Sequence, residues 1–551
     1  MTDKTHTIDA ATLRKWLNDG QSLALFDVRE HGQYGEGHPF FAVPLPYSRL
    51  ELEVGRLAPR RAERIVLFDD GDSDVAARAA RRLAQLGYAG VTLLAGGAPA
   101  WAAAGYTLFK GVNVPSKTLG ELVEHIQHTP HLSADDFVAR RAAGEPFVLV
   151  DGRTGEEHRK MTIPGALGCP NGELALRLPA LLTNPNTPVV VHCAGRTRSI
   201  IGAQTVLNLG LPNPVLALEN GTQGWYLAGH ALEHSSERFA DAVPTGPLLQ
   251  VARDRSARLL QRFGLPSLST AQAQQWLDDE HRTTYLFDIR TAEEFARRSI
   301  EGAVHAPGGQ LVQATDRYIG VRGSRVIVFD DDSVRAPVIA SWLHQLGFES
   351  AVLADGLDST IKVRAWPQPE LGGGPRILDA GQLRKLHGEV ATLAVVDLRE
   401  SAAFNQGHAQ GAVWSTRPRL LQALQSLGTT PDDPVVLLAS EADVAALAWK
   451  DLLDAGYGNV LRTDEGYQTW LSAGLPQAVD AEPLPPATRI DYLFFVHDRH
   501  EGNQDAARAY LAWETGLIAQ CEEDELQVFR ILADTRHSSS PEAERQAAAG
   551  R

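Results

Sequence analysis

Cysteine is scarce in this chain, which has only Cys169, Cys193 and Cys521 in 551 residues. A small and odd number of cysteines argues against the disulfide framework of a secreted protein and is typical of a reducing compartment. The N-terminal sequence shows no charged-then-apolar signal pattern, and no apolar run reaches the length of a membrane span. We therefore expect a cytoplasmic protein without membrane contact.

The chain also lacks an excess of positive charge. Its 52 lysines and arginines are outnumbered by 68 aspartates and glutamates, so the formal net charge is −16. This balance argues against nucleic acid or an anionic membrane as the main partner. Hydrophobic residues make up 44% and charged residues 22%, which is typical of a globular protein, and the length predicts about four domains.

A strand pattern that ends in Asp-x-Arg occurs four times, and a second apolar strand follows each copy. The position just after that second strand lies 42 residues beyond the aspartate in every copy, where the sequence has Asp69, Cys193, Asp330 and Ala439. A helical stretch, a third strand and a Gly-containing turn come next. Strands that alternate with helices at this spacing indicate parallel β/α domains, whose sites lie at the carboxyl ends of the strands.

The second copy places Cys193 between an apolar strand, Val189–His192, and a predicted helix, Ile200–Leu209. Backbone N–H groups and the helix dipole favour negative charge at a helix N-terminus, and Arg196 and Arg198 add two cations. These effects favour thiolate over thiol, so the sequence predicts a cysteine with a lowered pKa that faces an anion-binding loop. A lone cysteine at a strand end is more often a small core side chain, but the basic loop favours a functional role.

The repeated unit resembles the rhodanese domain of sulfurtransferases. The matching features are the Asp-x-Arg strand, the loop led by Cys193, a Gly-x-x-x-Trp ending and the turn Ile163-Pro164-Gly165-Ala166. The resemblance implies an α/β protein of four tandem rhodanese-like domains, with parallel β-sheets flanked by helices, and a small α-rich C-terminal extension. We expect domains at residues 1–112, 129–236, 265–370 and 375–480, and the extension at residues 481–551. Only the second domain keeps the cysteine, so the other three are expected to be inactive.

The resemblance further implies that a sulfane sulfur moves from an anionic donor such as thiosulfate, through a persulfide on Cys193, to a thiol or cyanide acceptor. No cofactor and no metal is implied. The substrate-binding residues would be those of the loop, with backbone N–H groups around the sulfur and two arginines on the donor: Ala194, Gly195, Arg196, Thr197, Arg198 and Ser199. Asp151 and Arg153, at the neighbouring strand end, are further candidates, although a structural role is favoured because the Cys-less copies share the pair.

Two other functions stay open at this point. The protein would be a carrier or sensor if it delivered persulfide sulfur to a protein partner, or a cysteine-based phosphatase or oxyanion reductase if the loop bound an oxyanion. A tyrosine-type phosphatase has five residues between the cysteine and the arginine, whereas four separate Cys193 from Arg198. The shorter loop favours sulfur transfer, and the sequence leaves the donor, the acceptor and the oligomeric state open.

Several residues near the repeats have more than one interpretation. His192 points to the strand face opposite Cys193, so we expect a core or hydrogen-bonding role rather than a general base. Cys169 is predicted to be a plain buried thiol, with resolution of a persulfide as the alternative. The acidic loops that begin at Asp69 and Asp330 are expected to hold solvated carboxylates that repel anions, with a cation site as the alternative.

Segments outside the repeats give weaker signals. Linking helices are predicted at residues 115–128 and 248–263, and Gly372–Gly374 marks a short glycine-rich junction. In the extension, the apolar run Tyr492–Val496 predicts a strand and is followed by two predicted helices, near residues 505–520 and 523–532. His497 and His500 are weak evidence for a metal site, so packing against the repeats is favoured. Only the tail after Ser538 resembles disorder.

Overall fold

The computed structural model describes residues 6–366, 369, 373–390, 393–500 and 502–533. Three features of the sequence lie outside the described residues: Gly372 of the predicted junction, the side chain of His500 and the tail after Ser538. Within the described part, the chain folds into two compact units. Of the described residues, one unit contains those in the ranges 6–19, 23–112 and 366–497, and the other contains those in the ranges 20–22, 113–365 and 498–533.

The first compact unit begins with domain 1, which is built around one five-stranded parallel sheet. Its elements in chain order are β1 (His6–Ile8), α1 (Ala10–Leu17), β2 (Ala24–Asp27), α2 (His31–Glu36), β3 (Val43–Pro44), α3 (Leu50–Leu57), β4 (Ile65–Phe68), α4 (Val75–Gln85), β5 (Val91–Leu94) and α5 (Gly97–Ala103).

The second compact unit contains domains 2 and 3, each preceded by a linking helix. Domain 2 follows α6 (Val114–Gln127) and comprises β6 (His131–Leu132), α7 (Ala134–Ala142), β7 (Val148–Asp151), α8 (Gly155–Lys160), β8 (Leu167–Gly168), α9 (Leu174–Leu181), β9 (Val189–His192), α10 (Thr197–Asn208), β10 (Val215–Leu218) and α11 (Gly221–Leu227). Domain 3 follows α12 (Gly246–Phe263) and comprises β11 (Ser267–Leu268), α13 (Thr270–Leu277), β12 (Thr284–Asp288), α14 (Ala292–Arg297), β13 (Val304–His305), α15 (Gly308–Gln313), β14 (Arg325–Phe329), α16 (Arg335–Gln345) and β15 (Glu349–Leu353). The two linking helices that the sequence predicts are therefore confirmed.

Domain 4 returns the chain to the first compact unit, and the extension follows it. Domain 4 comprises β16 (Arg376–Leu378), α17 (Ala380–Glu389), β17 (Ala394–Asp397), α18 (Ser401–Gln406), β18 (His408–Ala409), β19 (Val413–Trp414), α19 (Leu420–Ser426), β20 (Val435–Leu438), α20 (Ala442–Asp454), β21 (Val460–Thr463), α21 (Tyr467–Ser472) and β22 (Gln477–Ala478). The extension contains α22 (Phe494–His497), α23 (Gln504–Thr515), α24 (Leu517–Gln520) and α25 (Glu523–Leu526).

All four domains have the same sheet topology, which confirms the predicted fold class. Domain 2 has the strand order β6-β10-β9-β7-β8, and the equivalent strands of the other three sheets follow the same order. The central strands are apolar because helices cover both sheet faces, and in β9 all four residues are buried. Each predicted domain range contains one of these sheets, while the boundaries themselves stay predictions.

The predicted strand at Tyr492–Val496 is wrong, since this run contains α22 instead. A short apolar run does not distinguish a strand from a helix, and a strand also needs a free sheet edge. The segment instead packs against α2 of domain 1, where Gln33 N donates to Ile490 O over 3.2 Å. The predicted helix at residues 505–520 forms as α23 and α24, and the one at residues 523–532 is limited to α25.

Candidate functional site

Cys193 lies where β9 ends, in the loop that leads into α10. Its side chain is almost completely buried, with 2% of the residue exposed. Ser199, in the first turn of α10, donates its hydroxyl to Cys193 Sγ over 3.1 Å. The strand end and the helix N-terminus therefore place the thiol where the sequence predicts it.

Gly221, at the start of α11, holds the loop from the other side. It has a φ of +52°, and a Cβ atom there would lie 2.1 Å from Cys193 O, so no other residue fits. The next two residues fix the loop backbone, because Thr222 N donates to Cys193 O over 2.8 Å and Gln223 N donates to Ala194 O over 3.1 Å.

The same glycine contact occurs in all four domains and fixes how they correspond. A Cβ atom would lie within 2.5 Å of the carbonyl oxygen of the residue at the cysteine position in each of the other three: Gly97 at Asp69, Gly356 at Asp330 and Gly466 at Ala439. Domain 3 lacks the Gly-x-x-x-Trp ending, and Gly356 is its equivalent glycine. The structure therefore supports the fixed spacing of 42 residues found in the sequence.

Arg198 is held by a carboxylate of its own domain. Its two terminal nitrogens each donate to Glu157 over 2.7 Å. Although burial opposes ionisation, Arg198 lowers the pKa of Glu157 to about 2, so both groups stay charged. Domain 3 repeats the pair, with Arg335 bound to Glu294 over 2.8 and 3.1 Å, so the ion pair occurs without the cysteine as well.

Arg196 points to α6 and pairs with two carboxylates there. It donates to both oxygens of Glu121, over 2.8 and 2.9 Å, and also contacts Glu124. Both arginines of the loop are thus ion-paired. The backbone N–H groups of Arg196, which precedes α10, and of Thr197, Arg198 and Ser199 lie at the N-terminus of α10, where a helix offers no backbone acceptors. Among the described residues, the first N–H of this turn with a backbone acceptor is that of Ile200, which donates to Arg196 O over 3.1 Å.

The C-terminal extension also reaches the loop, which the sequence did not indicate. Glu514 of α23 is 1% exposed and accepts a hydrogen bond of 2.7 Å from Thr197 Oγ1. Lys117 Nζ lies 3.3 Å from the same carboxylate oxygen. Although burial opposes it, Lys117 and Thr197 lower the pKa of Glu514. A Cβ atom on Gly195 would lie 3.1 Å from Glu514 Oε2, so α23 packs closely on the loop.

Asp151 and Arg153 are bound to each other at the end of β7. Arg153 donates to the two Asp151 oxygens over 2.9 and 2.7 Å and also to Met161 O. The carboxylate also accepts hydrogen bonds from Arg153 N, over 3.2 Å, and from Thr162 Oγ1, over 2.9 Å, and His158 Nδ1 lies 3.1 Å from it. The Asp-x-Arg pairs of domains 1, 3 and 4 have the same geometry. This pair ties a strand end to the following turn in every domain.

Two buried residues next to the site match their expected environment. Burial lowers the pKa of His192 to about 4, and its side chain is completely buried. Cys169 packs in the core with Val150, Leu174 and Val191, and burial raises the pKa of its thiol.

The acidic residues at the cysteine position of domains 1 and 3 are buried rather than solvated. Asp330 accepts backbone N–H bonds of 2.8 to 3.1 Å from four consecutive residues, Ser333 to Ala336. Asp69 accepts from Gly71 N over 2.9 Å and from Ala76 N over 3.0 Å. The prediction of solvated carboxylates is therefore wrong for these two residues, because each binds the N–H groups of its own loop.

The described residues also bear on metal and membrane binding. No three His, Cys, Asp or Glu side chains in that part of the chain are grouped closely enough to hold a metal ion. No helix within it is long and apolar enough to cross a membrane.

Comparison with known proteins agrees with this geometry. The family model of the rhodanese-like domain matches residues 9–104, 133–228, 269–360 and 379–473. The crystal structure of a thiosulfate sulfurtransferase from Pseudomonas aeruginosa is 41% identical, with a TM-score of 0.88 over 96% of this chain and 100% of that chain. A Mycobacterium tuberculosis protein named "Putative thiosulfate sulfurtransferase SseB" is 28% identical over 205 residues, 30% of this chain and 71% of that protein. Since the family model covers more than half of the chain, this protein belongs to the rhodanese-like sulfurtransferase family, with four copies of the domain.

Proposed function

We propose that Cys193 carries the sulfur in a transfer from an anionic donor such as thiosulfate to a thiol or cyanide. The Cys193 thiolate attacks the outer sulfur of thiosulfate, the S–S bond breaks, and its electron pair leaves with sulfite. The acceptor then attacks the outer sulfur of the resulting persulfide, and the electron pair of that S–S bond returns to Cys193. The cysteine sulfur is an anion before and after each half-reaction, as a thiolate or as a persulfide, so the site needs groups that stabilise negative charge.

The observation that carries this proposal is the carboxylate of Asp330 in domain 3. It stands at the position equivalent to Cys193 and accepts the N–H groups of the four residues from Ser333 to Ala336. The loop backbone of this fold therefore binds an anion just beyond the Cβ atom of this position. In domain 2 the equivalent N–H groups belong to Arg196, Thr197, Arg198 and Ser199, and the negative charge would be that of the Cys193 thiolate or persulfide.

The ion pairs indicate the roles of the remaining loop residues. Because Arg196 and Arg198 are each held by carboxylates, we propose that they orient the loop and add positive potential, while the N–H groups from Ala194 to Ser199 contact the sulfur and the donor. Asp151 and Arg153 act as positioning residues, since their polar atoms bind one another and the neighbouring turn. Domains 1, 3 and 4 would be inactive, because none has a thiol at this position.

Burial of the nucleophile favours small acceptors over a protein partner. Cys193 is 2% exposed, and a carrier that delivers sulfur to another protein needs its persulfide at the surface. The phosphatase and oxyanion reductase alternatives have no support beyond a shared cysteine-led loop, and the four-residue spacing to Arg198 argues against the first.

Intact-protein mass spectrometry after incubation with thiosulfate tests the proposal. We expect a gain of one sulfur, about 32 Da, in the wild type and in Cys169→Ser, with no gain in Cys193→Ser. Release of the added mass by cyanide would identify it as sulfane sulfur. If thiosulfate, glutathione persulfide and 3-mercaptopyruvate all leave the wild-type mass unchanged, sulfur transfer through Cys193 is refuted.

A further inference from the structure

Asn171 binds the backbone of the Cys193 loop at a point that the proposed function does not yet use. This residue lies in the turn between β8 and α9 and is 8% exposed. Its amide nitrogen, Nδ2, donates to Arg198 O over 2.8 Å. Because a carbonyl oxygen only accepts hydrogen bonds, this contact fixes which end of the amide faces the loop.

The contact bears on the neighbouring N–H group, that of Ser199. In a trans peptide group the C=O and the N–H point in opposite directions, so an Arg198 carbonyl that points to Asn171 directs the N–H of Ser199 away from it. A hydrogen bond to the carbonyl also polarises the peptide and strengthens its N–H as a donor. In domain 3 the equivalent N–H, that of Ala336, donates to the Asp330 carboxylate over 2.8 Å. By this correspondence, the N–H of Ser199 faces the nucleophile.

Two glycines make room for the amide of Asn171. Its oxygen, Oδ1, would lie 2.1 Å from a Cβ atom on Gly152 and 2.6 Å from one on Gly202, so a larger residue at either position would displace the side chain. The backbone is held as well, since Asn171 N donates to Gly152 O over 3.1 Å. Gly152 N in turn donates to His192 O over 2.9 Å, directly before Cys193. The amide is therefore packed in one orientation between the end of β7 and α10.

The equivalent space in domain 3 is filled in the opposite way. Gly308 stands at the same position, 20 residues beyond the aspartate of Asp-x-Arg, and Ile289 and Ile339 replace the two glycines. A Cβ atom on Gly308 would lie 2.6 Å from Ile339 Cγ1 and 3.6 Å from Ile289 Cβ, which leaves no room for an amide. Domains 1 and 4 have Tyr47 and Arg417 at this position. The asparagine therefore occurs only in the domain that has the cysteine.

Domain 3 also holds the turn that carries Asn171. Glu173 binds Arg335 of domain 3 over 2.9 Å, and the Arg335 side chain is almost completely buried. The two backbones meet at Gly172 and Gly309, because a Cβ atom on Gly172 would lie 2.7 Å from Gly309 N. The turn is therefore fixed to domain 3 at the two residues that follow Asn171.

The amide oxygen of Asn171 indicates that stability alone does not explain this residue. Oδ1 is buried and has no hydrogen-bond partner in the part of the chain that the structure describes. A buried oxygen without a partner lowers the free energy of unfolding, and an apolar side chain would avoid that cost. The advantage of the asparagine is therefore its donor, Nδ2, which binds the loop.

We propose that Asn171 is a positioning residue for the sulfur transfer, and that it orients the N–H of Ser199 toward the sulfur carried by Cys193. The inference rests on the proposed function, in which the outer sulfur keeps a negative charge when the S–S bond of thiosulfate breaks. Asn171 exchanges no proton and forms no covalent bond. Since the N–H of Ser199 binds the sulfur only as it reaches Cys193, Asn171 affects the rate of transfer more than the binding of thiosulfate.

The rate of sulfur loading, followed by rapid quenching and intact-protein mass spectrometry, tests this role. Each protein is mixed with increasing concentrations of thiosulfate, which gives a limiting rate and a half-saturating concentration. For Asn171→Ala we expect the limiting rate to fall about tenfold, as for the loss of one hydrogen bond in the transition state, while the half-saturating concentration changes less than about twofold. Asn171→Asp keeps the shape of the side chain, but its carboxylate has no hydrogen to donate, so it should be at least as slow.

Val206→Ala is the matched control for a loss of stability. Val206 lies farther along α10, is 1% exposed and packs in the core of domain 2, so this variant loses stability without a change in the loop. We expect it to load sulfur at the wild-type rate. A wild-type rate in Asn171→Asp, equal slowing in Val206→Ala, or an effect confined to the half-saturating concentration would refute the positioning role and leave sulfur transfer intact. A wild type that never loads sulfur would refute the proposed function and this inference with it.

Discussion

Removing the carboxylate of Asp330 should loosen the loop of domain 3 more than removing the thiol of Cys193 loosens the equivalent loop of domain 2. Asp330 accepts four backbone N–H bonds. Hydrogen bonds to a charged group contribute about 1.5–3 kcal/mol each, but the contributions of four bonds to one carboxylate do not simply add. Asp332 shares two of these donors, from Val334 and Arg335, so part of the network survives. We therefore expect Asp330→Ala to cost about 3 kcal/mol locally, at the upper end for single substitutions.

Cys193→Ala is the matched control, because it truncates the same position of the fold. It removes one buried sulfur atom, at a cost of about 1 kcal/mol. Hydrogen exchange read by mass spectrometry reports each loop separately within the full chain. A difference of about 2 kcal/mol corresponds to exchange about 30-fold faster at residues 333–336 of Asp330→Ala than at residues 196–199 of Cys193→Ala, each relative to the wild type.

The reciprocal substitution checks the same reasoning. Cys193→Asp should form no persulfide, yet its carboxylate would bind the N–H groups of residues 196–199 and slow their exchange. Asp330→Ala should load sulfur on Cys193 as the wild type does, because the thiol-bearing loop is unchanged. If Asp330→Ala exchanges no faster than the wild type at residues 333–336, or if Cys193→Asp speeds exchange in its loop, backbone anion binding by these loops is refuted.

Three further outcomes follow from the same site. Glu157→Gln leaves Arg198 without its carboxylate partner and should lower stability by about 1–3 kcal/mol in thermal or denaturant unfolding, since the Glu157 side chain is 37% exposed. Glu294→Gln should cost less, because Arg335 keeps Glu173, Asp331 and Asp332 as partners, and only the first substitution should reduce persulfide yield. Burial lowers the pKa of His192 from 6.5 to about 4, so this residue binds fewer protons in the folded protein than in the unfolded chain. Its contribution to the free energy of unfolding is therefore complete above pH 6.5. That contribution falls by about 1.4 kcal/mol per pH unit as the pH drops toward 4, and denaturant unfolding at pH 7 and pH 5 should show a smaller loss for His192→Gln. Cys169→Ser should keep wild-type turnover, and Cys169 should resist alkylation in the folded protein, because burial raises the pKa of its thiol; rapid labelling of Cys169 would contradict this.

The sequence predicted the features that depend on local periodicity and on repetition. Four strands with a common Asp-x-Arg ending and a constant spacing predicted four sheets, and the structure has four sheets with one strand order. The same spacing assigned Asp69, Asp330 and Ala439 to the position of Cys193, and the glycine contacts support this correspondence. Such features follow from chain-local patterns that are repeated along one sequence.

The partners of the loop side chains were not predictable in this way. Two basic residues beside a cysteine indicate an anion site, but Arg196 binds a glutamate 75 positions earlier and Thr197 binds one 317 positions later. Nothing in a local pattern reports such distant contacts. A signal did exist for Glu157, because Thr154 and Glu157 form a capping box that recurs at Thr291 and Glu294, and a comparison of the copies would have found it.

The equivalent loops of the four domains differ in what their backbone N–H groups bind. In domains 1 and 3 an aspartate binds the N–H groups of its own loop, which satisfies the helix N-terminus and leaves no room for an outside anion. In domain 2 the cysteine side chain is too short to do this, and we propose that the N–H groups bind a sulfur that comes from outside the chain. A site that binds substrate in this way gives up the stabilisation that its sister loops obtain from their own carboxylates. The contacts of Arg196 with α6 and of Thr197 with α23 then have a physical reason: side chains from outside the domain stabilise a loop whose backbone groups, under the proposed function, bind the substrate.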